Sequence, residues 1–312
     1  MLTDTSIELR SPKPSFAMRA ATWVMSKRRN VFPDNPDAVP NFLSNRRPPR
    51  DALMPSSFLR RYTVENWESE GQKVVTLHPK SGAGQWHMIY FHGGGFVLPM
   101  FKEHWPLVAA MIDAMGISVT VPLYDVVPEA PYWRADAQAD AVFARIAESH
   151  DPARIVLNGD SAGGHMALSL ALRLAAKGGP QPGKLALFSP WLDVTMADPA
   201  ITEIEPHDIM LKTDALRTMG KVWADMRDPA SPACSPLYTT TEALSALPPT
   251  RIWTGRHDLF IVDSRTFTGR LREAGVDAKL YEYEAAPHVF MAITPCRESK
   301  DTISLLKDFL KE

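Results

Sequence analysis

Residues Arg154-Ile155-Val156-Leu157-Asn158-Gly159-Asp160-Ser161-Ala162-Gly163 join an apolar run to a glycine-flanked serine. Ile155 to Leu157 is an apolar run that reads as a buried strand, and it passes directly into Gly-x-Ser-x-Gly. A serine hydroxyl is a weak nucleophile unless the backbone presents it to a base. A sharp strand-to-helix turn does this, and glycines on either side permit the tight backbone approach. The helix that should follow is visible in Met166, Leu168, Leu170, Leu172 and Leu174. The five-residue pattern alone is weak, because glycine and serine at ~7% each produce it in roughly one chain in ten of this length. A glycine-rich helix start is the competing reading.

A second site decides between them. Gln85 to Phe91 reads as a buried strand and runs into His92-Gly93-Gly94-Gly95-Phe96. A histidine followed by three glycines arises by chance in on the order of one chain in a thousand. Glycines leave backbone amides unshielded, so these can converge on one developing negative charge. In the α/β-hydrolase plan such a loop follows the third strand and acts with the amide after the nucleophile. The expected oxyanion donors are therefore Gly93, Gly94 and Ala162. Neither phosphate-binding pattern, G-x-x-x-x-G-K-[ST] or G-x-G-x-x-G, is present in this loop.

The acid and base should follow in the order Ser, Asp or Glu, His. Arg251 to Gly255 reads as a short strand before His257-Asp258, and Lys279 to Tyr283 as a strand before Ala286-Pro287-His288. Both polar residues thus fall past C-terminal strand ends, where open α/β sheets place their sites. His288 is the expected base for Ser161, and Asp258 the residue that orients it. Asp263 is a rival acid, but it reads as the N-terminal cap of a helix carrying Phe267 and Leu271. His165 should lie in the first turn of the elbow helix and pack away from the hydroxyl. Asp160 should brace the loop.

This set of motifs resembles the hormone-sensitive-lipase-like serine esterases of the α/β-hydrolase superfamily, from about residue 55 onward. Besides the motifs above, Ser189-Pro190-Trp191-Leu192-Asp193, Tyr124 and Pro128-Glu129 match family segments. The resemblance implies a mostly parallel central sheet flanked by helices, with a small helical cap. It also implies hydrolysis of small carboxylic esters without a metal or organic cofactor. The cap would come from the N-terminal segment and an insertion after the sixth strand. This chain has Asp125 where the family has Arg and Leu123 where Asp is common, so a local ion pair should be lost. His165 replaces the usual Asn.

The chain has 312 residues, enough for one large domain or a core with a modest cap. Residues 1–50 read as cap segment and connector, and 51–312 as the catalytic domain with an insertion near 191–227. A net charge of −2 gives no electrostatic reason to expect nucleic acid. The two cysteines, Cys234 and Cys296, have neither metal-ligand spacing nor the number of a disulfide scaffold. With no signal-peptide pattern and no long apolar run, a cytoplasmic location is expected, without stable membrane insertion. A homodimer stays open.

Residues 30–55, with Pro33, Pro36, Pro40, Pro48, Pro49 and Pro55, read as an extended connector. Before it, Phe16, Ala20, Trp23 and Val24 fall near one face of a short helix, followed by Lys27, Arg28 and Arg29. A helix over the active site is the preferred reading of that face, and a membrane-surface helix the alternative. In the insertion, Asp214 to Trp223 reads as a helix. Phe96, Trp191, Met210, Trp223 and Val289 are the expected pocket residues.

These readings converge on a carboxylesterase for small esters of short acyl chain, with no activation at a lipid interface. The same triad would serve a natural-product deacetylase, a lactone or amide hydrolase, or an interfacial lipase. A non-catalytic ligand receptor on this fold is disfavoured, because such proteins typically lose a triad member.

Overall fold

The computed structural model describes residues 6–28, 31–45 and 54–312. Nine strands form one sheet: β1 (Ile7–Ser11), β2 (Tyr62–Ser69), β3 (Gln72–Pro79), β4 (His87–Phe91), β5 (Ser118–Pro122), β6 (Ile155–Asp160), β7 (Lys184–Phe188), β8 (Thr250–His257) and β9 (Ala278–Pro287). Their order across the sheet is β1-β9-β8-β7-β6-β4-β5-β3-β2. Only β3 runs against its neighbours, pairing antiparallel with β2 and β5. The central strands β4, β5 and β7 are buried along their whole length, as strands covered by helices on both faces must be. The fold is the α/β-hydrolase fold expected from the motifs.

Two features depart from the expected division of the chain. The first is β1, which lies in the segment assigned to the cap yet pairs parallel with β9. It adds an edge strand, so the strand before residues 191–227 is numbered β7 in this chain. The second is a helix, Ala38–Asn45, inside the expected extended connector. Asn35 Oδ1 accepts the Ala38 N–H at 3.0 Å, and Pro40 sits in the first turn, where a missing N–H costs nothing. Pro48, Pro49 and Arg29 lie outside the described residues.

The N-terminal helix, Phe16–Ser26, forms where expected but with the opposite face inward. Met18 is buried, while Phe16, Ala20, Trp23 and Val24 are exposed. The reason lies at its start: Glu298 of the C-terminal helix (Arg297–Phe309) accepts both the N–H of Ser15 at 2.6 Å and its hydroxyl at 2.7 Å. That clamp and the burial of Met18 set the rotation.

Candidate active site

Strand β6 ends at Asp160, and the elbow helix (Ala162–Ala176) starts two residues later. Ser161 occupies the turn with φ 55° and ψ −121°, a conformation L-residues rarely adopt. The strain is held by packing and by hydrogen bonds: the Ser161 N–H donates to Phe188 O at 2.9 Å, and its carbonyl accepts from Trp191 N at 3.1 Å. Glycine is required at 159, because a Cβ there would run into the Gly163 carbonyl. The turn aims the hydroxyl into a cavity of about 360 Å³ that His288 and Gly94 also line.

His288 and Asp258 stand just past the C-terminal ends of β9 and β8. His288 Nδ1 lies 3.0 Å from Asp258 Oδ2. A carboxylate can only accept, so Nδ1 carries the proton and Nε2 is left as the basic nitrogen. Asp258 is itself fixed, with Oδ1 accepting the Phe260 N–H at 3.0 Å. Burial would push the imidazole pKa down, but the charge of Asp258 and its hydrogen bond outweigh this and raise it above 6.5. Ser189 Oγ accepts the N–H of Val289 at 3.2 Å, which ties the residue after His288 to the end of β7.

The glycine loop is organised by Asp160. Its carboxylate accepts the Tyr90 hydroxyl, the Gly93 N–H at 3.1 Å, and His104 Nε2 at 3.3 Å. Burial would raise this carboxyl; His104 beside it and the hydrogen bonds hold it below the usual carboxylate value. Asp160 thus braces the loop as expected. The Gly93 N–H, an expected oxyanion donor, is already engaged by Asp160. Gly94, at φ 136°, turns the chain there, and Ala162 opens the elbow helix, where an N–H has no partner within the helix. Tyr124 stacks on His92 at 4.2 Å and donates to the His92 carbonyl at 2.6 Å. With Leu123 and Asp125 the family's pair between these positions cannot form, and Asp125 pairs instead with Arg134 at 2.8 Å.

The expected pocket residues divide. Met210 and Val289 line the cavity, with Met25, Phe32, Phe101 and Ile209. Phe96, Trp191 and Trp223 do not. They are fully buried and form a stack that starts at Trp223 on the cap helix (Thr213–Ala224). Phe96 lies 4.1 Å from Trp223 and 5.4 Å from Trp191. Trp191 stacks on Phe260 at 5.7 Å, and Phe260 meets the His288 ring edge-on at 5.1 Å. A large aromatic gains most from complete burial, which removed these rings from the cavity wall. His165 joins the cluster edge-on to Phe96, with Nδ1 3.1 Å from the Trp191 carbonyl, and burial lowers its pKa to about 3. Its role is packing.

Asp263 does not cap its helix. The cap position is Phe260, and Asp263 lies buried in the first turn. Burial, with Asp193 and Asp198 nearby, pushes its carboxyl well above the usual value. Three residues of the site carry no functional expectation in the sequence, Tyr90, His104 and Asp208, and Ser189 enters only as part of a family segment. Asp208 Oδ1 accepts the N–H groups of Met210 and Leu211, and its Oδ2 accepts that of Leu259, next to Asp258, at 3.0 Å. Burial and the neighbouring Asp258 push Asp208 up to about 6. Its one sequence signal is an Asp directly before the apolar run Ile209-Met210-Leu211, where its side chain can accept from the backbone of a local turn.

Residues 88–292 match a protein family described by the alpha/beta hydrolase fold. An esterase of Acinetobacter venetianus is 32% identical over 198 residues, covering 62% of this chain and 64% of that protein. An acetyl-hydrolase of Streptomyces hygroscopicus is 30% identical over 226 residues, covering 72% and 75%. The crystal structure of an esterase from the bacterial hormone-sensitive lipase family superposes with a TM-score of 0.80 at 24% identity, covering 96% of this chain and 98% of that one. With the fold, the elbow and the His-Gly-Gly-Gly loop in place, the chain belongs to the family of α/β hydrolases that residues 88–292 match.

Proposed function

We propose that the protein is a serine carboxylesterase acting on compact esters of short acyl chain. The observation that carries the reading is the 3.0 Å contact between His288 and Asp258 beside a strained Ser161 that opens on the same cavity. Ser161 Oγ attacks the ester carbonyl while His288 Nε2 takes its proton. The tetrahedral oxyanion accepts from Gly94 and Ala162, the latter at a helix N-terminus that favours negative charge. Gly93 instead fixes the loop through Asp160. The proton on His288 passes to the departing alcohol, leaving an acyl-serine. Water, deprotonated by His288, then releases the acid and restores Ser161.

The cavity of about 360 Å³ lies at the small end of ligand sites and is walled mainly by apolar side chains. The proposed acyl range of about two to six carbons rests on the family resemblance, and a pocket of this size sets an upper bound on the ligand. The names of the esterase and acetyl-hydrolase relatives point the same way. Ser161→Ala should lower kcat by roughly six orders of magnitude with the fold intact, and a fluorophosphonate should label Ser161 alone. Undiminished turnover in that variant, or labelling of another serine, overturns the reading. A series of p-nitrophenyl esters from acetyl to palmitoyl tests the acyl limit.

A further inference from the structure

The N-terminal helix turns its bulkiest apolar side chains to solvent. Phe16 is 84% exposed, Trp23 65% and Val24 41%, and Val31 beyond the helix is 57% exposed. Side chains of this size are normally withdrawn from water, and an exposed cluster of them marks a contact surface. Within this segment of the chain the charge is of one sign. No Asp or Glu occurs between Glu8 and Asp34, while Lys13, Arg19, Lys27 and Arg28 are exposed. The same segment reaches the catalytic mouth, because Met25, Arg28, Val31 and Phe32 line the cavity. Glu103 across that mouth has Lys102 3.9 Å away.

We infer that this helix is a peripheral anchor that seats the cavity mouth on an anionic lipid surface. Tryptophan and phenylalanine lodge at the boundary between headgroups and acyl chains, and Lys and Arg add attraction to anionic headgroups. The helix has 11 residues, a rise of roughly 16 Å, too short to cross a bilayer but long enough to lie in its surface. A second copy of the chain fits this face poorly. Two such faces would bring their cations together, and three side chains on one helix fall far short of the roughly 800 Å² per partner that a stable interface buries.

The test uses the full-length protein in vesicle flotation, comparing phosphatidylcholine with phosphatidylcholine containing about 30% phosphatidylglycerol. Binding to the anionic vesicles only, weakened by salt, is expected. Phe16→Ser with Trp23→Ser, and separately Arg19→Glu with Lys27→Glu, should each weaken it by about tenfold or more. These residues do not line the cavity, so hydrolysis of p-nitrophenyl acetate should be unchanged and reports that the variants are folded. Binding is read without turnover, so the outcome is independent of the esterase reading. Absence of binding to anionic vesicles, or binding that both variants retain, overturns the inference. Loss of a dimer in the Phe16→Ser, Trp23→Ser variant, without vesicle binding by the wild type, assigns the face to a second copy instead.

Discussion

The Asp208 carboxylate holds the backbone N–H of Leu259 at 3.0 Å, one residue from Asp258. An acid of the insertion thereby fixes the loop that carries the acid facing His288. Asp208→Ala would leave three N–H groups, the half-buried one of Met210 and the buried ones of Leu211 and Leu259, without this acceptor. Displacing the Asp258 loop by even about 1 Å should cost roughly 10²-fold in kcat. Asp208→Asn keeps one acceptor oxygen and should recover part of that loss. Steady-state kinetics on both variants checks the order.

The pH profile should carry the same signature. His288 must be neutral to act as a base, and its pKa is raised above 6.5, so kcat/KM should fall as pH drops through a value above that. Asp208 is among the charges that raise it. Asp208→Asn should therefore move the acid limb to lower pH, a displacement that a purely structural role would not produce. His87, His92 and His165 are held neutral by burial, with values near 3, and add no limb in this range.

Asp258→Asn and Asp263→Asn should part company. The first should lower kcat by roughly four orders of magnitude, because the wrong imidazole tautomer is favoured. The second should leave turnover nearly unchanged and stabilise the protein at alkaline pH. A carboxyl whose folded pKa is raised binds more protons folded than unfolded, so its penalty on stability grows as pH rises above 3.8. Thermal melts of wild type and Asp263→Asn should coincide near pH 4 and diverge toward pH 8. A larger activity loss in Asp263→Asn than in Asp258→Asn would falsify the choice of acid.

Trp223→Ala and Met210→Ala separate packing from specificity. Trp223 is a stacked core residue, so its truncation should cost about 3–5 kcal/mol of stability and leave acyl preference alone. Met210 lines the cavity, so its truncation should extend activity to longer acyl chains at modest cost in Tm. Denaturant melts and the ester series read the two effects.

Truncations should separate the two jobs of the N-terminal segment. Removal of residues 1–11 takes away β1 and should lower Tm with KM unchanged. Removal of residues 1–30 also takes Met18 from the core and Met25 and Arg28 from the cavity, and should raise KM as well.

The elements legible in the sequence were those whose cause is local. The elbow at Ser161 and the His92 loop announce themselves because glycine is demanded by a close approach or a positive φ. The strands before Asp258 and His288 carry their own apolar pattern. Elements set by distant partners were not legible. The rotation of the N-terminal helix depends on Glu298, 283 residues from Ser15, and periodicity cannot say which of two faces a remote clamp will choose. The donation of Gly93 to Asp160 and the grip of Asp208 on Leu259 likewise join segments that no spacing relates. Phe96, Trp191 and Trp223 are expected in the pocket and lie behind it, because hydrophobicity alone does not distinguish a cavity wall from a buried stack.

The stack from Trp223 to His288 also gives the protein an intrinsic optical reporter. Indole and phenyl rings held rigidly within about 4–6 Å of one another couple their π→π* transitions. The near-ultraviolet circular dichroism should therefore contain a band that depends on the position of the cap helix relative to Phe96. Because the far end of the stack touches the imidazole, that band should respond when His288 gains a proton or when an acyl group occupies Ser161. Movement of the cap during a single turnover could thus be followed without attaching any label.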